Sequence, residues 1–222
     1  PIMEDIDLQY TTKQLDGRLL DVEHSIYIQD PSPEVDQAWD TLSKNDFVYV
    51  SSSDVLRMGK DPSVMAKLPT DWGYGSDAYA AELDIVHKIH CLDALRKEMH
   101  FDHYYGHKYA NRSEVSEGHR MHANHCLNIL LQTLTCDANP DLVPFVWVKD
   151  QVHPFPDFSI QRKCGNLDTV YRWKEQHAID RERYVGLRLP ESDKTLLLLP
   201  ELKRIFGLDV DEPEHHPKSA MS

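Results

Sequence analysis

A mainly α-helical single domain with short β elements, built around an antiparallel helix pair, is the fold class that this 222-residue sequence predicts. Three observations carry it. The stretch from Asp77 to Met99 holds neither Gly nor Pro, and Leu83, Val86, Ile89 or His90, and Leu95 recur in it at helical spacing. A second such stretch runs from about Glu117 to Thr135, with Met121, Ile129, Leu130 and Leu134 as its apolar positions. Between them, Phe101 to His107 is polar and aromatic and contains Gly106, which reads as a loop. Helix, loop, helix is therefore the expected core unit.

The other elements follow in order. Residues 1–30 lack strong periodicity and read as an extended arm, with Tyr27-Ile28-Gln29-Asp30-Pro31 closing on a turn. Ser32 then suits a helix cap, Pro33 the first helical position and Glu34 the positive end of the helix dipole, while Val35, Ala38, Trp39 and Leu42 share one face. Phe47 to Val50 reads as a short strand, and Asp61-Pro62 opens a brief helix that Pro69 stops. Beyond the helix pair, Leu142 to Val148 predicts a strand that Pro144 confines to a sheet edge. His153 to Pro156 reads as an extended loop, Asn166 caps a helix through Trp173, and 191–199 predicts a short apolar element. Residues 31–210 are expected to form the domain and 211–222 a disordered tail, with His215 and His216 solvated.

Composition narrows the function classes. Charged residues make up 27% and hydrophobic residues 41%, which is globular composition, and the formal net charge of -13 argues against a partner bound through its phosphate backbone. No apolar run approaches the ~18 residues of a membrane span. The four cysteines, Cys91, Cys126, Cys136 and Cys164, leave three pairings and both redox compartments open. Asn111-Arg112-Ser113 is an N-glycosylation acceptor in a turn-rich stretch, which tilts the expectation toward the secretory lumen.

Histidine is the outlying residue type. Eight of thirteen fall between residues 87 and 125, where an even spread would place about two. Within that window, His87-Lys88-Ile89-His90-Cys91-Leu92 and His122-Ala123-Asn124-His125-Cys126-Leu127 spell the same HxxHCL pattern. On a helix, positions i and i+3 lie one turn apart on the same side, so each pair of imidazoles can converge with a cysteine beside it. Two antiparallel helices would assemble four imidazoles and two sulfurs. The stripes Leu83-His87-His90-Ala94 and His122-His125-Ile129-Thr133 overlap the apolar faces, so the histidines are expected to point inward. Unpaired there, each imidazole would cost roughly a few kcal/mol, which a bound cation would offset. Core histidines with a Cys91–Cys126 disulfide clipping the helices are the alternative. Imidazole suits zinc, copper, iron and nickel, and an oxidising compartment favours histidine-only copper with paired sulfurs.

The doubled motif resembles the signature of the UstYa-like family of fungal natural-product biosynthesis proteins. The resemblance extends to Glu34 through Trp39, Leu95-Arg96-Lys97, Tyr104-Tyr105, Leu134 to Ala138 and Phe158 to Asp168, and so spans about residues 31–175. It implies a lumenal domain with an N-terminal membrane anchor preceding this chain, which opens at Pro1. It further implies oxidative tailoring of cyclic peptides and related metabolites, copper as the metal, and His87, His90, His122 and His125 as ligands. One block departs from the family pattern: Arg162-Lys163-Cys164-Gly165-Asn166 stands where relatives usually read His-x-Cys-Arg-Asn.

The expectation that results is a copper-dependent oxidase acting on a peptide or polyketide-type substrate by cyclisation, hydroxylation or desaturation. His103 and His153 are outside candidates for completing coordination, and Tyr104, Tyr105 and Trp147 for lining a pocket. Cys91–Cys126 and Cys136–Cys164 are the expected disulfides. The expected partners are the small-molecule or cyclic-peptide substrate and a membrane through the anchor alone, with no nucleic acid and with homo-oligomerisation left open. Two alternatives stand beside this: a redox-silent cyclase with a structural metal or disulfide, motivated by Arg162 and Gly165, and a non-catalytic subunit of a biosynthetic complex.

Overall fold

A computed structural model describes residues 6–18, 25–44, 46–190 and 194–207. The expected tail, with His215 and His216, lies outside the described residues. Strand β1 (Thr11–Gln14) belongs to the N-terminal arm, and helix α1 (Pro33–Ser43) follows, with the Ser32 side chain accepting from the Val35 N–H at 3.2 Å as the sequence led one to expect. Strand β2 (Val48–Val50) leads into α2 (Ser52–Arg57), opened by a reciprocal capping box between Ser51 and Asp54. Asp61 caps only a single 3-10 turn, Pro62–Val64, because extended backbone follows at Met65.

The first long helix is shorter than its pattern. Tyr79–Ala81 forms β3, paired antiparallel with β2 through Val48↔Ala81, Tyr49↔Ala80 and Val50↔Tyr79, and α3 begins at Asp84 and ends at Met99. Buried Tyr79 gains more from that sheet and its core contacts with Val50 and Val55 than from an exposed helical turn. The expected loop after α3 is instead a short helix, α4 (Phe101–Tyr105). His100 breaks the helical path with φ -105° and ψ 44°, and Phe101 is buried at 4% exposure, which fixes the turn that follows.

Helix α5 (Glu117–Asp137) is capped by Ser116, whose hydroxyl accepts from the His119 N–H, and ends at Ala138 in the left-handed region. It packs along α3, which packs on its other side against α1. Strands β4 (Phe145–Val146) and β5 (Phe155–Pro156) make a two-residue ladder, so part of the expected loop at 153–156 is paired. Strand β6 (Gln161–Cys164) pairs with β1 in the register Thr11↔Cys164 to Gln14↔Gln161, tying the arm to the body. Helix α6 (Leu167–Gln176) is capped by Asn166; α7 (Arg181–Gly186) and α8 (Pro200–Ile205) complete the chain. The apolar element expected at 191–199 has no regular structure over 194–199, and 191–193 lie outside the described residues. No helix of the described residues is long and apolar enough to cross a membrane.

The apolar core is not where the helix pair would put it. Val50, Val55 and Tyr79 form one buried cluster with Trp173, and Leu68, Ala78 and Ile179 form another with Phe47 and Tyr49. Both lie around the β2–β3 ladder. In α5, Cys126 alone is buried among the described residues. The α1–α3 contact is polar: the Arg96 guanidinium bonds Asp93 and Asp36, each at 2.8 Å, and Tyr104 at 2.6 Å. Burial opposes that charge, yet the hydrogen bonds it donates to Asp36, Asp93 and Tyr104 prevail and hold its pKa above the ordinary value.

Candidate metal centre

The doubled motif is assembled across the α3–α5 seam. His87 faces His125 with ring centroids 5.5 Å apart, and His90 faces His122 at 5.6 Å, the rings tilted by 45° and 44°. The pairing runs in opposite senses along the two helices, so they are antiparallel. Among the described residues no group of three or more His, Cys, Asp or Glu is already arranged to hold an ion. The site is therefore two facing imidazole pairs rather than a closed cage.

The inward expectation is corrected. His122 and His125 are solvent-exposed and His87 and His90 half-buried, while Cys91 and Cys126 are completely buried. Helix geometry explains it: successive residues turn by about 100°, so once the cysteines occupy the seam, the histidine just before each lies on its flank. Cys91 Sγ lies 3.8 Å from His87 Nε2 and Cys126 Sγ 3.6 Å from His122 Nε2, so the thiols support the imidazoles from beneath.

Electrostatics keeps the two donor types distinct. Desolvation by the packed protein and repulsion from His90, His125, His119 and His87 lower the His122 pKa from 6.5, which favours the neutral imidazole that metals bind. Burial, then the hydrogen bond and proximity of Cys91, push the Cys126 thiol up to about 12. At neutral pH that sulfur is a protonated thiol and a poor ligand. The donor set offered to solvent is thus imidazole nitrogen, which fits copper, as it fits zinc, iron and nickel.

All four cysteines are free thiols in this structure; Cys91 and Cys126 are in contact, Cys136 is exposed and Cys164 is half-buried in β6. The remaining candidates fall elsewhere. His103 is exposed and edge-on to Tyr104, and His153 is exposed near β5. Tyr104 belongs to the Arg96 network, and Trp147 is 78% exposed. Asn111 is exposed and caps a 3-10 turn, with its Oδ1 accepting from the Ser113 N–H. Arg162 lies 3.9 Å from Asp141, and Gly165 sits beneath Leu8, where a Cβ would come within 3.4 Å. The departing block thus braces the arm.

One pair escaped the sequence reading. His119 hydrogen-bonds Glu98 through Nε2, and Tyr105 stands edge-on to its ring at 4.7 Å. Its signal was present in the spacing, since His119, His122 and His125 form an i, i+3, i+6 ladder on α5. A cavity of about 480 Å³ lined by Met65, Tyr184 and Leu187 takes no wall from α3 or α5.

The family profile described as "Mycotoxin biosynthesis protein UstYa" matches residues 1–177. The chain is 35% identical over 198 residues to "UstYa family oxidase aprY" of Aspergillus flavus, covering 86% of this chain and 58% of that protein. It is 27% identical over 184 residues to "UstYa family oxidase phomYc" of Diaporthe leptostromiformis, covering 81% and 69%. It is 25% identical over 100 residues to "UstYa family oxidase VicYc" of Bipolaris victoriae, covering 45% and 92%. The chain therefore spans little more than half the length of the first of these relatives. No solved structure matches it.

Proposed function

Because the chain belongs to the UstYa family of mycotoxin biosynthesis proteins, we propose that it is a copper-dependent oxidase that tailors a fungal secondary metabolite, a peptide or polyketide-type molecule, by oxidative cyclisation, hydroxylation or desaturation. The observation that carries this reading is the pairing of His87 with His125 and His90 with His122 on a solvent-open face. Those four side chains would hold the metal. Bound copper would supply one-electron oxidation and dioxygen chemistry.

The chain's own residues do the rest. The antiparallel helices hold the imidazoles in register, and the depressed pKa of His122 keeps its nitrogen available at neutral pH. The exposed flank admits a bulky substrate without a channel. His119, one turn before His122, is held in place by Glu98 through Nε2. A lumenal setting completes the reading: Asn111 carries a glycan and an anchor precedes the chain.

The test is turnover. Purified chain, loaded with copper and supplied with oxygen, is offered candidate cyclic-peptide and polyketide-type precursors, and the products are followed by mass. Products short of two hydrogens or richer by one oxygen, formed only with both copper and oxygen, support the proposal. Equal turnover after chelation under anaerobic conditions would overturn it in favour of a redox-silent cyclase.

A further inference from the structure

In both motifs the residue after the buried cysteine is a leucine, and both leucines are exposed. At about 100° per residue, the histidine before each cysteine and the leucine after it lie on opposite flanks of the helix. Because the histidine flanks of α3 and α5 face each other, the leucine flanks share the reverse face of the pair. On α3 that face carries Ile85, Leu92 and Met99, seven residues apart; on α5 it carries Leu127, Leu131 and Leu134, at i, i+4 and i+7. All six are between 38% and 80% exposed.

We infer that this reverse face is the interface through which two copies of the chain form a two-fold dimer, leaving the histidine flank of each copy open. Six large apolar side chains bring the patch to the several hundred Å² that mark an interaction site on a single chain. Doubled across a two-fold axis, it reaches on the order of 1,000 Å², where specific interfaces begin. The 4,3 spacing of Leu127, Leu131 and Leu134 is that of a helix packing against a partner helix. Charge selects the occupant. From Met121 to Cys136, α5 holds no Lys, Arg, Asp or Glu, in a chain of net charge -13. On α3, Lys88 lies between Ile85 and Leu92 but is paired with Asp84, so the face carries no net charge. Two such chains repel one another except across a surface without net charge, and an apolar patch of that kind is complementary to itself, as a two-fold interface requires.

The test is the solution mass of the purified 222-residue chain across the micromolar range, by light scattering and sedimentation. The expected mass is about twice the 25.7 kDa of the chain, falling to the single-chain value in the variant Leu127→Asp/Leu131→Asp and, separately, in Met99→Asp. Each substituted position faces solvent in the isolated chain, so far-ultraviolet circular dichroism should not change. Trp147→Asp, exposed on the loop after β4, should leave the dimer intact. A wild-type chain that stays monomeric overturns the inference, as does a dimer that survives the α5 and α3 variants or dissociates with Trp147→Asp alone. Binding to neutral lipid vesicles that the Leu127/Leu131 variant abolishes would also overturn it and assign the face to a membrane. Copper content is measured on the same samples: a monomeric variant that still loads copper separates this inference from the metal reading.

Discussion

His87 of α3 and His125 of α5 face one another across the helix seam with ring centroids 5.5 Å apart, although 38 positions separate them in the chain. The same relationship recurs one turn away between His90 and His122. Neither helix presents more than two motif imidazoles by itself, so the site exists only once α3 and α5 pack. Mutations that loosen the seam should therefore release metal before they unfold the rest.

Acid should empty the site. His122 has a folded pKa below 6.5, so it is neutral at pH 7 and charges only in more acidic solution. Because its folded pKa is depressed, the unfolded chain takes up the proton first, and the stability it contributes is present above 6.5 and lost as pH falls through the folded value. Copper binding, which needs a neutral imidazole at His122, should be complete at pH 7 and fall as pH drops through that lowered value, as read by equilibrium dialysis at stepped pH. Affinity that stays constant down to pH 4 would exclude an imidazole-bound metal.

The cysteines should prove structural. With its thiol pKa near 12 and its side chain completely buried, Cys126 should be dispensable for metal. Cys126→Ala is expected to retain copper while losing roughly 1–2 kcal/mol of stability, a usual cost for a buried substitution. Metal content is checked by elemental analysis and stability by denaturant titration. Loss of copper without loss of fold would make Cys126 a ligand.

Arg96 should be the costliest surface-distant position to change. Its guanidinium joins α1, α3 and α4 through Asp36, Asp93 and Tyr104, and Asp93 is only 3% exposed. Arg96→Ala leaves that carboxylate with Lys97, at 2.7 Å, as its remaining charged partner, so the loss falls at the low end of a broken buried pair, about 3 kcal/mol. At roughly 2–4 °C per kcal/mol for a chain of this size, the Tm should fall by about 10 °C. Asp36, whose pKa is lowered despite burial by the Tyr104 and Arg96 hydrogen bonds, contributes stability above 3.8 that disappears as pH drops through its folded value. Tyr104→Phe should cost less, about 1–2 kcal/mol, since one hydrogen bond per partner is lost. A thermal melt of Arg96→Ala within a degree or two of wild type would contradict the network's role.

The sequence disclosed the helix pair and its four histidines because both are local patterns: an i, i+3 spacing, a repeated Cys-Leu, and windows free of Gly and Pro. It misled over which way the histidines point, since overlap with an apolar stripe holds for either flank of that stripe, and only the packing of Cys91 against Cys126 decides. The start of α3 was also beyond it. Tyr79, Ala80 and Ala81 suit a helix by themselves, and the partner that draws them into a strand lies some 30 residues upstream at Val48 to Val50. The β1–β6 ladder joins residues about 150 positions apart and leaves no local trace. His119 was legible but unread, because it stands one turn outside the repeated motif.

The central claim, that four imidazoles on one open face hold copper, is tested most directly by the copper content of the purified chain beside that of His87→Ala/His122→Ala. Each substitution removes one member of a different pair while leaving Cys91, Cys126 and the Arg96 network in place. The account predicts bound copper in the wild type, nitrogen hyperfine structure in its electron paramagnetic resonance spectrum, and loss of both in the double variant with circular dichroism unchanged. Equal copper content in the two proteins would contradict it.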